Sequence, residues 1–224
     1  MSELQLAVAH AVKLALVVLL AGLLRRGKAR LCWSFLAYAL AILVGNSMVS
    51  LWPDRFYNPP FWVLKQGVYD ALKMAIAVEL AWRAFAAFPG AMRAARRVLL
   101  AVLAASTLAL ASLTPPSSYL TLWEWQPGVA TAAVWLLTAT ALLVVWYQVP
   151  LHPWPRAIML GLAPYLLVFV AALDLLRRHG WASFREGAGL LDSLAYLSLV
   201  VFWAWAAWRR DPASPAAPAQ GSPA

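Results

Sequence analysis

The sequence predicts an all-α fold: a polytopic membrane helical bundle of about seven transmembrane helices, with its N-terminus outside and its C-terminus cytoplasmic. Three observations predict it. Of 224 residues, 63% are hydrophobic and only 12% charged, and the mean hydropathy is +0.71. A soluble domain carries about a quarter charged residues, so this chain lacks the polarity to cover a water-facing surface. Apolar stretches of about the spanning length recur along it, and Lys and Arg gather in alternate connections between them.

The stretches run over 4–24, 31–52, 61–85, 94–113, 128–147, 157–176 and 188–208. The first is read as a retained helix and not as a signal peptide. Residues 1–5 carry no positive charge, and the cluster Arg25, Arg26, Lys28, Arg30 follows the apolar run where a signal would have it precede. Breakers part the stretches: Trp52-Pro53-Asp54, Asn58-Pro59-Pro60, Phe88-Pro89-Gly90, Thr114-Pro115-Pro116, Gln126-Pro127-Gly128 and the Pro-rich segment 150–155. The fourth stretch is marginal, because its clean apolar part, 98–113, is short. Arg96 and Arg97 must snorkel if it is to cross; without it the count is six. A transmembrane domain thus covers 1–210, and the tail 211–224, rich in Pro and Ala, has no means of burying a core and is expected to be disordered.

Orientation comes from the basic residues. Arg25, Arg26, Lys28 and Arg30 follow the first span, Arg93, Arg96 and Arg97 the third, and Arg209 and Arg210 the last, while Arg156 precedes the sixth. The opposite connections hold Arg55, Arg177, Arg178 and Arg185, and 119–126 has no basic residue. Positive-inside counting puts the C-terminus in the cytoplasm of a bacterial inner membrane, although Arg177 and Arg178 oppose it. Ten of thirteen tryptophans, Trp33, Trp52 and Trp208 among them, fall near span ends, as an interfacial belt requires. The net charge of +9 is explained by this topology and implies no nucleic-acid partner, since no basic soluble face exists. The partners expected are the lipid bilayer and a membrane or cytoplasmic protein.

The third stretch carries the chemistry. Lys65, Gln66, Tyr69, Asp70, Lys73, Glu79 and Arg83 all fall within roughly half the circumference of a helix. Leu64, Val68, Ala71, Ala75, Val78 and Trp82 occupy the other side. Charges inside a membrane are costly unless paired, so the polar side must face the bundle interior. Asp70 and Lys73 are spaced to pair near mid-membrane, and Glu79 and Arg83 form an i,i+4 structural pair nearer the cytoplasm. Lys65 has no partner in its own helix; Asp174, or Asp192 with Tyr196 one turn deeper, is expected to reach it. Two readings stay open. In one, these residues line a polar cavity open to the outside that binds a charged ligand or relays protons. In the other, they are buried pairs that set helix register.

Catalytic motifs are missing. His10, His152 and His179 lie on separate segments, with no HExxH spacing, so no metal is predicted. Cys32 is the only cysteine and excludes an intrachain disulfide. No Gly-x-Ser-x-Gly elbow or phosphate-cradling loop occurs. The helix count is shared with microbial rhodopsins, whose retinal lysine lies in the last helix; 188–208 has no lysine, so no retinal or other cofactor is expected. The run from Glu79 to Arg97, in which Phe88-Pro89-Gly90 is followed by Arg93, Arg96 and Arg97, resembles the end of helix three in uncharacterised bacterial seven-transmembrane-helix membrane proteins. That resemblance spans about twenty residues and implies a helix end with a basic cytoplasmic edge, with no activity attached. The expected function is a non-enzymatic seven-helix sensory or scaffolding module. The alternatives are a small-solute or proton-coupled transporter component, or a lipid-modifying membrane enzyme built on Glu79 and Arg83.

Overall fold

A computed structural model of the chain describes residues 3–86, 97, 119–149, 151–179 and 181–210. Among these residues there are seven α-helices and no strand: α1 (Glu3–Arg25), α2 (Trp33–Leu51), the four-residue α3 (Pro53–Phe56), α4 (Pro59–Ala86), α5 (Tyr119–Trp146), α6 (Pro153–His179) and α7 (Trp181–Trp208). A 3₁₀ turn, Lys28–Leu31, joins α1 to α2. The expected fourth span, 94–113, lies outside the described residues except for Arg97, as does the tail 211–224.

Local chemistry accounts for the helix ends. Glu3 opens α1 and Arg25 closes it, each complementing the helix dipole. Asn58 caps α4 by accepting from the Phe61 amide at 2.9 Å, ahead of a first turn that begins Pro59-Pro60, where proline's missing N–H costs nothing. Sequence punctuation proves weaker than packing at two places. Gln126-Pro127-Gly128, expected to end a segment, lies inside α5, and Trp52-Pro53-Asp54 runs into α3. A proline removes one backbone hydrogen bond, and a helix held by neighbours on its flanks survives that loss.

Four segments are long and apolar enough to cross a membrane: Glu3–Arg25, Trp33–Leu51, Pro153–Ala172 and Gly189–Trp208. Their outward faces, with that of α5, carry Leu14, Val44, Trp135, Leu142, Leu160, Leu167 and Val201, all exposed. Such a continuous apolar exterior suits lipid and not water. The polar stripe of α4 lowers its hydropathy and keeps it out of that group of four.

The six long helices close into a ring in which α1 packs on α2, α2 on α4, α4 on α5, α5 on α6, α6 on α7 and α7 back on α1. Directions follow from contacts at one end. The Trp208 indole of α7 donates to the Val18 carbonyl of α1 at 3.0 Å. Phe35, at the start of α2, meets Trp154 at the start of α6 and Trp203 near the end of α7, edge to face at 5.3 and 4.8 Å. Ala84 and Phe85 of α4 share an apolar pocket with Leu143 and Tyr147 at the end of α5. The C-terminal ends of α1, α4, α5 and α7 therefore meet the N-terminal ends of α2 and α6. Lys28, buried at this end, donates to the Arg209 carbonyl at 2.7 Å and to that of Ala206 at 3.3 Å, closing the last turn of α7. Close packing here needs small residues: a Cβ on Gly161 of α6 would sit 2.7 Å from both Leu199 and Trp203 of α7.

Candidate functional site

The inward face of α4 is its polar stripe. Tyr69, Asp70 and Lys73 are buried with Ile76, Ala77 and Leu80, whereas Leu64, Val68, Ala71 and Trp82 are exposed. The Lys73 ammonium lies 2.9 Å from Asp70 Oδ1, with side chains 5% and 9% exposed. Gln66 donates to the same oxygen at 3.5 Å, and the Phe169 ring of α6 faces the ammonium at 4.7 Å. This closes the Asp70–Lys73 pair on one side and caps its cation on the other.

A cavity of about 470 Å³ lies within the ring and opens toward the end that holds the start of α1. Of the residues singled out in the sequence, Lys65, Gln66, Tyr69, Lys73, Asp192 and Tyr196 line it. Asp70 stands behind Lys73 and off the wall. Asp174, exposed on α6, is also off the wall. The carboxylate partner expected for Lys65 is not what the structure supplies. Lys65 instead donates to the Asn46 side-chain oxygen of α2 at 3.5 Å and lies 5.9 Å from the Tyr69 ring. Asp192 accepts from the Tyr165 hydroxyl of α6 at 3.2 Å. The reason is the ring itself: α2 adjoins α4, while α7 stands across the cavity, against α1 and α6.

Sequence reasoning overlooked Lys13, Asn46, Tyr38 and Tyr165, all of which are on the wall. Lys13 donates to Ser50 of α2. An ionisable residue in the middle of an apolar run was the available signal for Lys13, and the i,i+4 pair Asn46 and Ser50 was the signal on α2. The aromatic floor was harder to foresee, since Tyr38, Tyr165 and Tyr196 converge from three helices. The rings of Tyr165 and Tyr196 are 5.4 Å apart, and Phe169 stacks on Tyr165 at 6.2 Å. The Tyr196 hydroxyl is buried near Tyr38 without a hydrogen bond of ordinary geometry. Gly45 admits α4 to this wall, because the Tyr69 hydroxyl and the Lys65 methylenes occupy the space that a Cβ would need.

The second pair sits at the far end. Glu79 accepts from Arg83 at 2.8 Å, and it also accepts from the Ser34 amide at 2.9 Å, the Ser34 hydroxyl at 2.5 Å and the Trp33 amide at 3.3 Å. Helix α2 has no side-chain cap of its own, so a carboxylate from α4 serves its first amides. The buried Cys32 thiol donates to the same carboxylate at 3.5 Å. Among the described residues no three His, Cys, Asp or Glu side chains converge as a metal site would require.

What this arrangement offers chemically is a chamber of small-ligand size with cations on one wall, a carboxylate on another and aromatic rings beneath. Comparison with protein-family models, curated proteins and solved structures found no match to this chain.

Proposed function

We propose that the protein is a multi-pass inner-membrane module that binds a small ligand from outside the cell in its central cavity and acts without catalysis, as a sensor or as a scaffold for a membrane or cytoplasmic protein partner. The observation that carries this reading is the cavity, lined by Lys13, Lys65, Lys73 and Asp192 within a bundle whose exterior is apolar. Ionisable side chains held at that depth favour a binding role over passive packing. Orientation is part of the proposal. Arg25, Arg26, Lys28, Arg30, Arg83, Arg156, Arg209 and Arg210 all belong to the end opposite the cavity mouth, which makes that end cytoplasmic by charge. Seven crossings complete it. Helices α4 and α5 run the same way, so residues 86 and 119 stand at opposite ends, and one further crossing, at 94–113, restores the alternation.

One observation favours transport as a second reading. Pro164 interrupts the hydrogen bonding of α6 beside Tyr165, the residue that holds Asp192, and discontinuous helices at a binding site mark many transporters. The lipid-modifying reading draws no comparable support, since Glu79 is already occupied by Arg83 and the start of α2.

The test uses a single cysteine. With Cys32→Ser as background, Ser193→Cys on the cavity wall is expected to react with a membrane-impermeant maleimide in intact cells. Reaction only after cell disruption would reverse the orientation. If a permeant reagent also failed on the purified protein, the open cavity would be lost.

A further inference from the structure

The three lysines of the cavity are not equivalent. Lys73 is neutralised by Asp70 at 2.9 Å. Lys13 and Lys65 are held only by neutral oxygens, those of Ser50 and Asn46, and no carboxylate among the described residues pairs with either. Ser50 and Asn46 are i,i+4 on α2, which places them one above the other about 6 Å apart. The two ammonium groups, arriving from α1 and α4, therefore bracket one patch of the α2 wall. Asp192, on α7, is engaged by Tyr165.

Two unpaired cations this close repel one another, and the low-dielectric surroundings weaken the screening that water would give. The arrangement is relieved by an anion between them. Below that patch the wall becomes Tyr38, Tyr165, Phe169 and Tyr196, a surface for an apolar or aromatic body. The helices close on all sides in a ring, so the ligand enters through the mouth.

We infer that Lys13 and Lys65 form an anion subsite for a small organic acid, its carboxylate or phosphate held by the two ammonium groups and its apolar body resting on the aromatic floor. This rests on the reading of the cavity as a ligand site. An anionic lipid headgroup offers the same chemistry from a second source.

The experiment measures local potential and occupancy together. Val49, on the wall between Asn46 and Ser50, is replaced in the Cys32→Ser background as Val49→Cys. The purified protein is treated with a negatively charged sulfonatoethyl or a positively charged trimethylammonium-ethyl methanethiosulfonate, each rate normalised to that with a small free thiol. The anionic reagent is expected to lead by about tenfold or more, the scale on which charged clefts concentrate counter-ions. Lys13→Gln and Lys65→Gln should each cut that lead severalfold, and Lys65→Arg should preserve it, which separates loss of charge from loss of fold. Sodium benzoate should slow modification saturably, and the doubly Gln-substituted protein should not respond. If nanodiscs of phosphatidylglycerol, but not of phosphatidylcholine, abolish both the lead and the benzoate effect, the subsite belongs to a lipid headgroup and the free-acid assignment is overturned. Equal rates for the two reagents, indifferent to Lys65→Gln, would overturn the anion subsite and leave the cavity standing. No modification by either reagent would overturn both.

Discussion

Lys73 and Asp70 illustrate how one buried pair answers to two different demands. Their spacing allows an ion pair within one turn of α4, and the structure makes it at 2.9 Å with both groups nearly sealed from solvent. Removing one partner strands the other charge in a low-dielectric interior, which typically costs about 3–5 kcal/mol, whereas removing both leaves no orphan. Lys73→Leu alone is thus expected to lower the unfolding midpoint in detergent sharply, and Asp70→Leu with Lys73→Leu to recover most of it. A double variant no more stable than the single one would show that the pair does more than neutralise itself.

At the scale of elements, the bundle is joined by caps that one helix lends another. Glu79 of α4 closes the start of α2, and Lys28 closes the end of α7. Glu79→Ala leaves the Ser34 and Trp33 amides without their acceptor, and losses of a helix cap usually cost about 1–2 kcal/mol. Thermal unfolding followed by circular dichroism should show the midpoint falling. Hydrogen exchange should quicken at the first turn of α2 and leave α7 unchanged. Uniform loss of protection across both helices would contradict this local role. The α4 stripe shows how far sequence periodicity reaches at this scale. Its inward and outward faces were legible from 3.6-residue spacing, because a helix rotates its side chains by a constant angle. Which neighbour receives each polar group was not legible: Lys65 meets Asn46, on a helix the spacing within α4 says nothing about.

At the scale of the whole molecule, the distribution of charge between the two ends is the feature with the most consequence. Basic residues crowd the end where α1, α4, α5 and α7 finish, and the cavity mouth lies at the other. With Cys32→Ser as background, Tyr57→Cys, in the exposed connection between α3 and α4, is expected to react with an impermeant thiol reagent in intact cells. Arg26→Cys should react only once the cells are opened. The converse pattern would place the cavity mouth in the cytoplasm and turn the proposed external ligand into an internal one.

Composition and periodicity by themselves determined that the chain is helical, that it has apolar segments long enough to cross a bilayer, and that one helix carries a polar stripe. These are properties of consecutive residues, set by side-chain transfer between water and lipid and by the helical repeat. Tertiary structure alone decided the rest. It closed the ring, turned Lys13 and Lys65 toward one face of α2, took Asp70 out of the cavity wall by pairing it with Lys73, and gathered three tyrosines from three helices into a floor. Such juxtapositions depend on which helices adjoin and in which direction they run. Helices separated by dozens of residues meet through packing, and no local spacing encodes that meeting.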